Sequence, residues 1–97
     1  MSDPWRFEVL TLRSGLRMRV ARAGSGPLVV MLHGFPECWY SWRHQLRALS
    51  DTFECVAPDL RGYGETDAPV GVSEYSGEKL QADVVDLIEA LGRQSAA

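Results

Sequence analysis

The segment LVVMLHGFPE, residues 28–37, is the most informative part of this sequence about its fold. It opens with five apolar residues in a row, 28–32, without the alternation of a half-exposed strand. A continuous apolar run of this length is typical of a strand buried on both faces, as in a parallel sheet covered by helices. The run stops at His33-Gly34-Phe35-Pro36, where glycine and proline favour a turn. The segment therefore predicts a buried strand over Leu28–Leu32 that leads directly into a tight loop.

Two shorter strands are predicted before this segment. Apolar and polar residues alternate over residues 5–11 and again over 16–20, on either side of Ser14-Gly15. Period-two alternation around a Ser-Gly turn predicts a β-hairpin with one face inward. The arginines of the hairpin are expected to lie on its solvated face; they are Arg13, Arg17, Arg19 and Arg22.

The first predicted helix follows the loop. Its apolar residues Trp39, Trp42, Leu46 and Leu49 are spaced by three, four and three, which is the spacing of one helix face. A further short strand is predicted over Phe53–Ala57. The residues from 59 to 71 are rich in Gly, Asp and Pro and are expected to form a loop.

The second predicted helix has the clearest signals in the chain. Ser76 is placed to cap its amino terminus, and Gly92 has the position of the residue that ends a helix. Its apolar residues fall on one face; they are Leu80, Val84, Leu87, Ile88 and Leu91.

The element order is therefore β-β-β-α-β-α, which predicts an α/β fold: a mixed sheet with an antiparallel hairpin at one edge. In such folds a helix crosses back to a further parallel strand, and none is predicted after Gly92. We therefore expect the architecture to be incomplete.

Composition excludes several classes of protein. Hydrophobic residues make up 45% of the chain and charged residues 24%, as in a folded domain rather than a disordered tail. A net charge of −3 gives no basis for binding nucleic acid or a membrane surface. The amino terminus lacks the pattern of a signal peptide, and Cys38 and Cys55 suggest neither a disulfide framework nor a metal site. We expect a cytoplasmic protein without cofactor or metal.

Familiar catalytic motifs do not occur in the sequence. There is no G-x-S-x-G run, and both histidines, His33 and His44, come too early to be the late base of such an enzyme. The Gly62-Tyr63-Gly64 segment lacks the third glycine of a dinucleotide-binding fingerprint, because residue 67 is Asp.

Three motifs nevertheless point to a family: HGFPE at 33–37, WYSWR at 39–43 and DLRGYGETD at 59–67. Together they resemble the N-terminal third of the α/β-hydrolase fold, and most closely its soluble epoxide hydrolase branch, from about Phe7 to Gly92. The resemblance implies that residues 1–97 are the N-terminal segment of an α/β-hydrolase core domain. The cap domain and the C-terminal half of such an enzyme would then be absent from the chain.

The resemblance also implies a site in the HGFP loop. The backbone N–H of Phe35 would be one donor of an oxyanion hole, which stabilises charge that develops in the transition state. Gly34 and Pro36 would shape that turn, with a cis Phe35–Pro36 bond, and His33 would brace it. Trp39 is expected in the core or lining the pocket. Asp59 would fix the turn at Arg61-Gly62 rather than act as a nucleophile.

In the family, an Asp nucleophile opens an epoxide to a vicinal diol through a covalent alkyl–enzyme ester. A His–acid pair hydrolyses the ester, and two cap tyrosines supply the acid. None of these groups is assigned to this chain, so we expect it to be inactive alone. Because the fold would place a further strand on the other side of Leu28–Leu32, we also expect that strand to have unpaired backbone groups on this side and the chain to be poorly stable alone. The substrate of the intact enzyme would be small and apolar, and the oligomeric state is left open. A haloalkane dehalogenase, a serine-type relative and a non-catalytic binding module remain as alternatives.

Overall fold

The computed structural model describes residues 3–33 and 38–97. In chain order the elements are β1 (Arg6–Thr11), β2 (Arg17–Ala23), β3 (Leu28–Val30), a 3₁₀ turn (Trp39–Trp42) that continues into α1 (Arg43–Leu49), β4 (Glu54–Pro58), a second 3₁₀ turn (Val72–Tyr75) and α2 (Gly77–Ala90). The predicted order β-β-β-α-β-α is confirmed. The prediction of a buried strand over Leu28–Leu32 is wrong in its length, because β3 ends at Val30 and Leu32 is 43% exposed.

The four strands form one mixed sheet in the order β1-β2-β4-β3. The β1–β2 and β2–β4 pairs are antiparallel, and β3 runs parallel to β4. The hairpin therefore lies at one edge of the sheet, as predicted. Because β3 and β4 are parallel, their carboxyl ends lie at the same edge of the sheet, and the segments that follow them are brought together there.

The backbone of β3 also has hydrogen-bond partners on the side that faces away from β4. The Val30 N–H donates to the Ala97 carbonyl at 2.8 Å, and the Ala97 N–H donates to the Leu28 carbonyl at 3.0 Å. These two bonds have the pattern of a parallel pair. The expectation that β3 has unpaired backbone groups on this side is therefore wrong for the Leu28 carbonyl and the Val30 N–H.

The hydrophobic core lies on both faces of the sheet. One cluster packs against α2 and contains Leu12, Leu16, Met18, Val20, Leu28, Val56 and Leu87. The other packs against α1 and contains Ala21, Ala23, Met31, Trp39, Leu46, Cys55 and Ala57. Successive strand residues point to opposite faces, which is why Cys55 and Val56 belong to different clusters. The helices α1 and α2 thus cover the sheet from its two sides, as expected for an α/β layer structure.

Both predicted ends of α2 are confirmed. The Ser76 hydroxyl accepts the Lys79 N–H at 3.2 Å, which satisfies one of the free donors of the first turn. At the other end Gly92 has a φ of +75°, a backbone conformation that glycine adopts without steric cost. The Gly92 and Arg93 N–H groups donate to the carbonyls of Glu89 and Ile88, which is the Schellman arrangement.

Within residues 3–33 and 38–97, no helix combines the length and apolar character needed to cross a bilayer.

Candidate functional site

The candidate site lies at the edge of the sheet where β3 and β4 end. His33 follows β3 by three residues, and Asp59 follows β4 directly. Three of the predicted site residues, Gly34, Phe35 and Pro36, fall outside the described residues, and so does the expected cis bond between the last two. The two residues on either side of the segment 34–37 that carry predicted roles, His33 and Trp39, are described.

His33 ties the end of the β3 segment to the loop after β4. Its side chain is buried, and its Nε2 atom accepts the backbone N–H of Leu60 at 3.0 Å. The ring also packs edge-on against Tyr63, with 5.0 Å between the ring centroids. A ring nitrogen that accepts a hydrogen bond carries no proton, so Nε2 is committed to the backbone contact. His44, the second histidine, lies exposed on α1.

Trp39 begins the 3₁₀ turn on the other side of segment 34–37. Its backbone N–H donates to Oδ1 of Asp59 at 2.9 Å. The residue is 9% exposed, and its ring meets those of Trp5, Phe7 and Tyr40 edge-on, with centroid distances of 5.2, 4.9 and 5.5 Å. The expectation of a core position is confirmed, and contact with a substrate stays a prediction.

Asp59 joins three separate parts of the chain through one carboxylate. It is fully buried. Its Oδ1 accepts the Trp39 N–H, and its Oδ2 accepts the Glu65 N–H at 3.1 Å. The same Oδ2 pairs with the Arg19 guanidinium, at 3.1 Å from Nε and 3.0 Å from Nη2. The Thr66 hydroxyl also donates to the Asp59 carbonyl at 2.6 Å. Within its own loop Asp59 thus contacts Glu65 and Thr66, and not the Arg61-Gly62 turn that it was expected to fix.

Gly64 is required by the position of that carboxylate. A Cβ atom at residue 64 would overlap Oδ2 of Asp59, well inside the contact distance of two non-bonded atoms. Its φ of +53° also belongs to the left-handed region. Glycine at this position therefore lets the Asp59-to-Asp67 loop close around the Asp59 carboxylate without a clash.

A second buried carboxylate, Asp83, binds Arg61 on the α2 side of the same loop. Nε and Nη2 of Arg61 donate to Oδ2 and Oδ1 of Asp83 at 2.7 and 2.8 Å. Nη1 of Arg61 donates to the Glu74 carbonyl at 2.7 Å. Hydrogen bonding to Asp83 raises the pKa of Arg61 above its ordinary value, against the opposing effect of burial. The pair is a two-point ion pair that fixes the loop to the helix.

Sequence reasoning missed Arg19 and Asp83. The side chains of Arg13 and Arg17 are 75% and 70% exposed, as predicted, whereas those of Arg19 and Arg22 are 23% and 18% exposed. The prediction of a solvated face is wrong for these two, because acidic side chains from β4, its following loop and β1 reach them. The sequence does mark Asp83, because it is a charged residue that lies between Leu80 and Leu87 on the apolar face of α2.

In the described parts of the chain, no three His, Cys, Asp or Glu side chains come together as a metal would require. Both cysteines are free thiols, and burial raises the pKa of Cys55. A thiol with a raised pKa is a poor nucleophile, which fits a packing role for Cys55.

Comparison with known proteins defines the family. The sequence profile of the alpha/beta hydrolase fold matches residues 27–97. The chain therefore belongs to the α/β-hydrolase fold family, as its motifs predict.

Within that family the chain is similar to epoxide hydrolases. It is 55% identical over 80 residues to "Epoxide hydrolase 1" of Siraitia grosvenorii, covering 81% of this chain and 26% of that protein. A crystal structure of an epoxide hydrolase from Vigna radiata aligns with a TM-score of 0.92 and 48% identity, covering 96% of this chain and 30% of that one. An epoxide hydrolase from an endophytic Streptomyces aligns with a TM-score of 0.93 and 37% identity, covering 99% and 29%. The chain spans less than a third of the length of each of these relatives.

Proposed function

We propose that this chain is the part of an epoxide hydrolase that carries the oxyanion-hole loop. The observation that supports this most strongly is its identity of 37–55% to proteins named epoxide hydrolases. Described residues of the three motifs on which the resemblance rests also meet in space: His33 and Trp39 contact Leu60 and Asp59 at one edge of the sheet.

The proposed reaction adds water to an epoxide. A carboxylate supplied from outside residues 1–97 attacks an epoxide carbon, the carbon–oxygen bond breaks, and an acid protonates the leaving oxygen. Water then attacks the ester carbonyl, which passes through a tetrahedral oxyanion before it releases the diol and the free carboxylate. The N–H of Phe35 would donate to that oxyanion, and such preorganised donors act mainly by stabilising charge in the transition state.

The chain's own share in this reaction is positioning. Gly34 and Pro36 would shape the turn that presents the Phe35 N–H, His33 would brace it, and Trp39 would border the pocket. We propose a small apolar epoxide as substrate and a cytoplasmic setting. Residues 1–97 alone would be inactive, because the nucleophile, the base and the acid are supplied from elsewhere.

A chimera tests this proposal. Residues 1–97 replace the matching N-terminal part of the Streptomyces epoxide hydrolase, and hydrolysis of styrene oxide is followed. We expect turnover in the chimera and none in the 97-residue chain alone. Phe35→Pro removes the N–H donor and should lower kcat by about 10²–10³, the loss that follows removal of one oxyanion-hole donor elsewhere.

Two variants serve as controls in the chimera. Phe35→Ala keeps the backbone N–H and separates the role of the ring from that of the donor. His44→Ala changes an exposed residue of α1 and should leave kcat unchanged. A folded chimera that hydrolyses haloalkanes or carboxylic esters but no epoxide would refute the proposed reaction.

A further inference from the structure

We propose that the outer edge of β1 is a contact surface at which two copies of this chain pair antiparallel, around a two-fold axis at Phe7. The contact would join two four-stranded sheets into one continuous sheet. This pairing does not depend on the proposed reaction, because β1 lies at the edge of the sheet farthest from β3.

The outer edge of β1 has backbone groups that no described residue binds. In the hairpin the Leu12 N–H donates to the Leu16 carbonyl at 2.9 Å, so the backbone of Leu12 is directed at β2. Because this direction alternates along an antiparallel strand, the N–H and C=O groups of Phe7, Val9 and Thr11 are directed away from β2. In the part of the chain that the structure describes, no strand pairs with β1 on that side and no hydrogen bond engages these groups. Such a free edge is a template for pairing with another strand.

The side chains at this edge favour burial. Phe7 and Val9 are apolar, yet they are 50% and 59% exposed. They lie on the same face of β1, because they are two residues apart. On this face the Phe7 ring meets the Trp39 ring edge-on. The exposed edge is therefore continuous with the hydrophobic cluster that packs against α1.

The charges of β1 indicate a second copy as the partner. Arg6 lies directly across from Arg22 of β2, and like charges in directly opposite positions repel each other. The carboxylates of Glu8 and Glu54 pair with Arg22, and no ion pair of Arg6 occurs among the described residues. Within the described chain, Arg6 is thus an exposed cation without a carboxylate partner.

An antiparallel copy of β1 centred on Phe7 supplies that partner twice. It places Arg6 of each copy opposite Glu8 of the other, in non-hydrogen-bonded pairs whose side chains approach closely. The two Phe7 residues then face each other and exchange N–H···O=C bonds. A centre at Glu8 would instead oppose two carboxylates, and a centre at Val9 would place Arg6 opposite an apolar residue. Of the two-fold registers, only the one centred on Phe7 pairs Arg6 with Glu8.

The contact between the two copies would be small. Only part of a six-residue strand takes part in each copy, whereas a standard interface uses about 20–30 residues from each side. We therefore expect a weak dimer that forms at high protein concentration and dissociates on dilution.

Sedimentation velocity of the 97-residue chain over a range of concentrations tests the pairing. The wild type should shift from monomer to dimer as its concentration rises. Arg6→Glu places carboxylates opposite carboxylates in the dimer and should raise the dissociation constant at least about tenfold. Within one copy the same change puts a carboxylate across from Arg22, so it does not weaken the hairpin. Arg13→Glu is the matched control, because it makes the same change of charge in the turn outside β1 and should leave the dissociation constant unchanged.

A mixture of two variants tests the charge pairs directly. Glu8→Arg should prevent dimerisation as Arg6→Glu does, because it places cations opposite cations. An equimolar mixture of the two variants should form dimers, because opposite charges then face each other again. A wild-type chain that stays monomeric, or a mixture of the two folded variants that does so, would overturn the proposal.

Cysteine crosslinking in a Cys38→Ser background tests the register. At the two-fold centre, Phe7→Cys brings two Cα atoms to about 5.5 Å, within the range that a disulfide bridges. Val9→Cys is the matched variant, because its two copies would lie about 14 Å apart along the strands. Under oxidation, Phe7→Cys should form covalent dimers at least about tenfold faster than Val9→Cys. An equal or reversed order of the two rates would contradict the pairing around Phe7.

The same measurements on the chimera cover a 97-residue chain that aggregates, and they test a different occupant of the edge. Concentration-dependent dimers that Arg6→Glu weakens should also appear in the chimera. Dimers of the chain without dimers of the chimera would show that a segment from outside residues 1–97 covers the edge, and would overturn pairing between copies in the longer protein.

Discussion

Two buried carboxylates hold the two sides of the loop 59–67, and they do so in different ways. Asp83 gives both of its oxygens to one partner, the guanidinium of Arg61. Asp59 divides its oxygens among Arg19, Trp39 and Glu65, which belong to three different parts of the chain. The first arrangement joins two groups, and the second fixes the relative position of three.

This difference separates attachment from positioning. A two-point ion pair can be replaced by apolar side chains of similar size without loss of stability, because the pair mainly repays its own desolvation. A carboxylate that accepts backbone N–H groups has no such substitute, since the donors belong to the chain and stay where they are. We therefore expect joint replacement by apolar side chains to be tolerated at Asp83 and Arg61, and not at Asp59 and its partners.

Breaking the Arg61–Asp83 pair should have the largest effect on stability. Asp83→Ala leaves the Arg61 charge buried without its main partner, and the free energy of unfolding should fall by about 3–5 kcal/mol. Urea denaturation of the chimera measures this loss.

The double variant Arg61→Met, Asp83→Leu is the control for that experiment. It removes both charges, and most of the lost stability should return. If the double variant is as unstable as Asp83→Ala, apolar side chains cannot replace this ion pair without loss of stability.

Gly64→Ala should have the next largest effect, because its Cβ would press on Asp59. We expect a loss of roughly 2–4 kcal/mol, from the left-handed backbone together with disturbed buried hydrogen bonds. Gly92→Ala is the matched control. It also has a positive φ but meets no atom within 4 Å, and should cost only about 1 kcal/mol. Equal losses in the two variants would show that the carboxylate at residue 59 is free to move aside.

The smallest effect is expected at Asp67, an accessible carboxylate on the same loop. The Arg17 N–H donates to it at 2.9 Å, and this bond, with help from the Arg17 side chain, lowers the pKa of Asp67. A lowered pKa in the folded state stabilises the fold above the ordinary range of Asp, and this contribution disappears as the pH falls through the folded value.

The measurement compares the wild type with Asp67→Asn by urea denaturation at pH 7 and pH 3. The wild type should be the more stable protein at pH 7, with the difference shrinking at pH 3, below the ordinary Asp pKa of about 3.9. A difference that stays constant between the two pH values would rule out ionised Asp67 as its source.

Most of the fold could be predicted from the sequence, because periodic patterns and end signals act locally. The spacing of Leu80, Val84 and Leu87 defines a helix face, and Ser76 and Gly92 mark its ends without reference to the rest of the chain. The strand predicted over residues 28–32 is longer than β3 for a related reason. Apolar character indicates burial, but it does not tell how far a neighbouring strand accompanies the run.

The site was less predictable because its contacts join residues that no local pattern connects. Periodicity assigns Arg19 to a face of β2, but whether that face meets water or a carboxylate depends on β4 and the loop that follows it. The bond from Trp39 to Asp59 is harder still, since its donor is a backbone N–H that every residue type except proline provides. Asp83 was the exception, because a single charge on an apolar helix face indicates a buried partner.

The partners of Asp59 also bear on the order in which the molecule folds. Its contacts with Glu65, Trp39 and Arg19 span 6, 20 and 40 residues along the chain. The first closes a short turn, whereas the other two need the sheet and the chain around α1 to be in place, at an entropic cost that rises with loop length. We therefore expect this junction to assemble after the transition state for folding. Substitutions at Asp59 would then accelerate unfolding more than they slow folding.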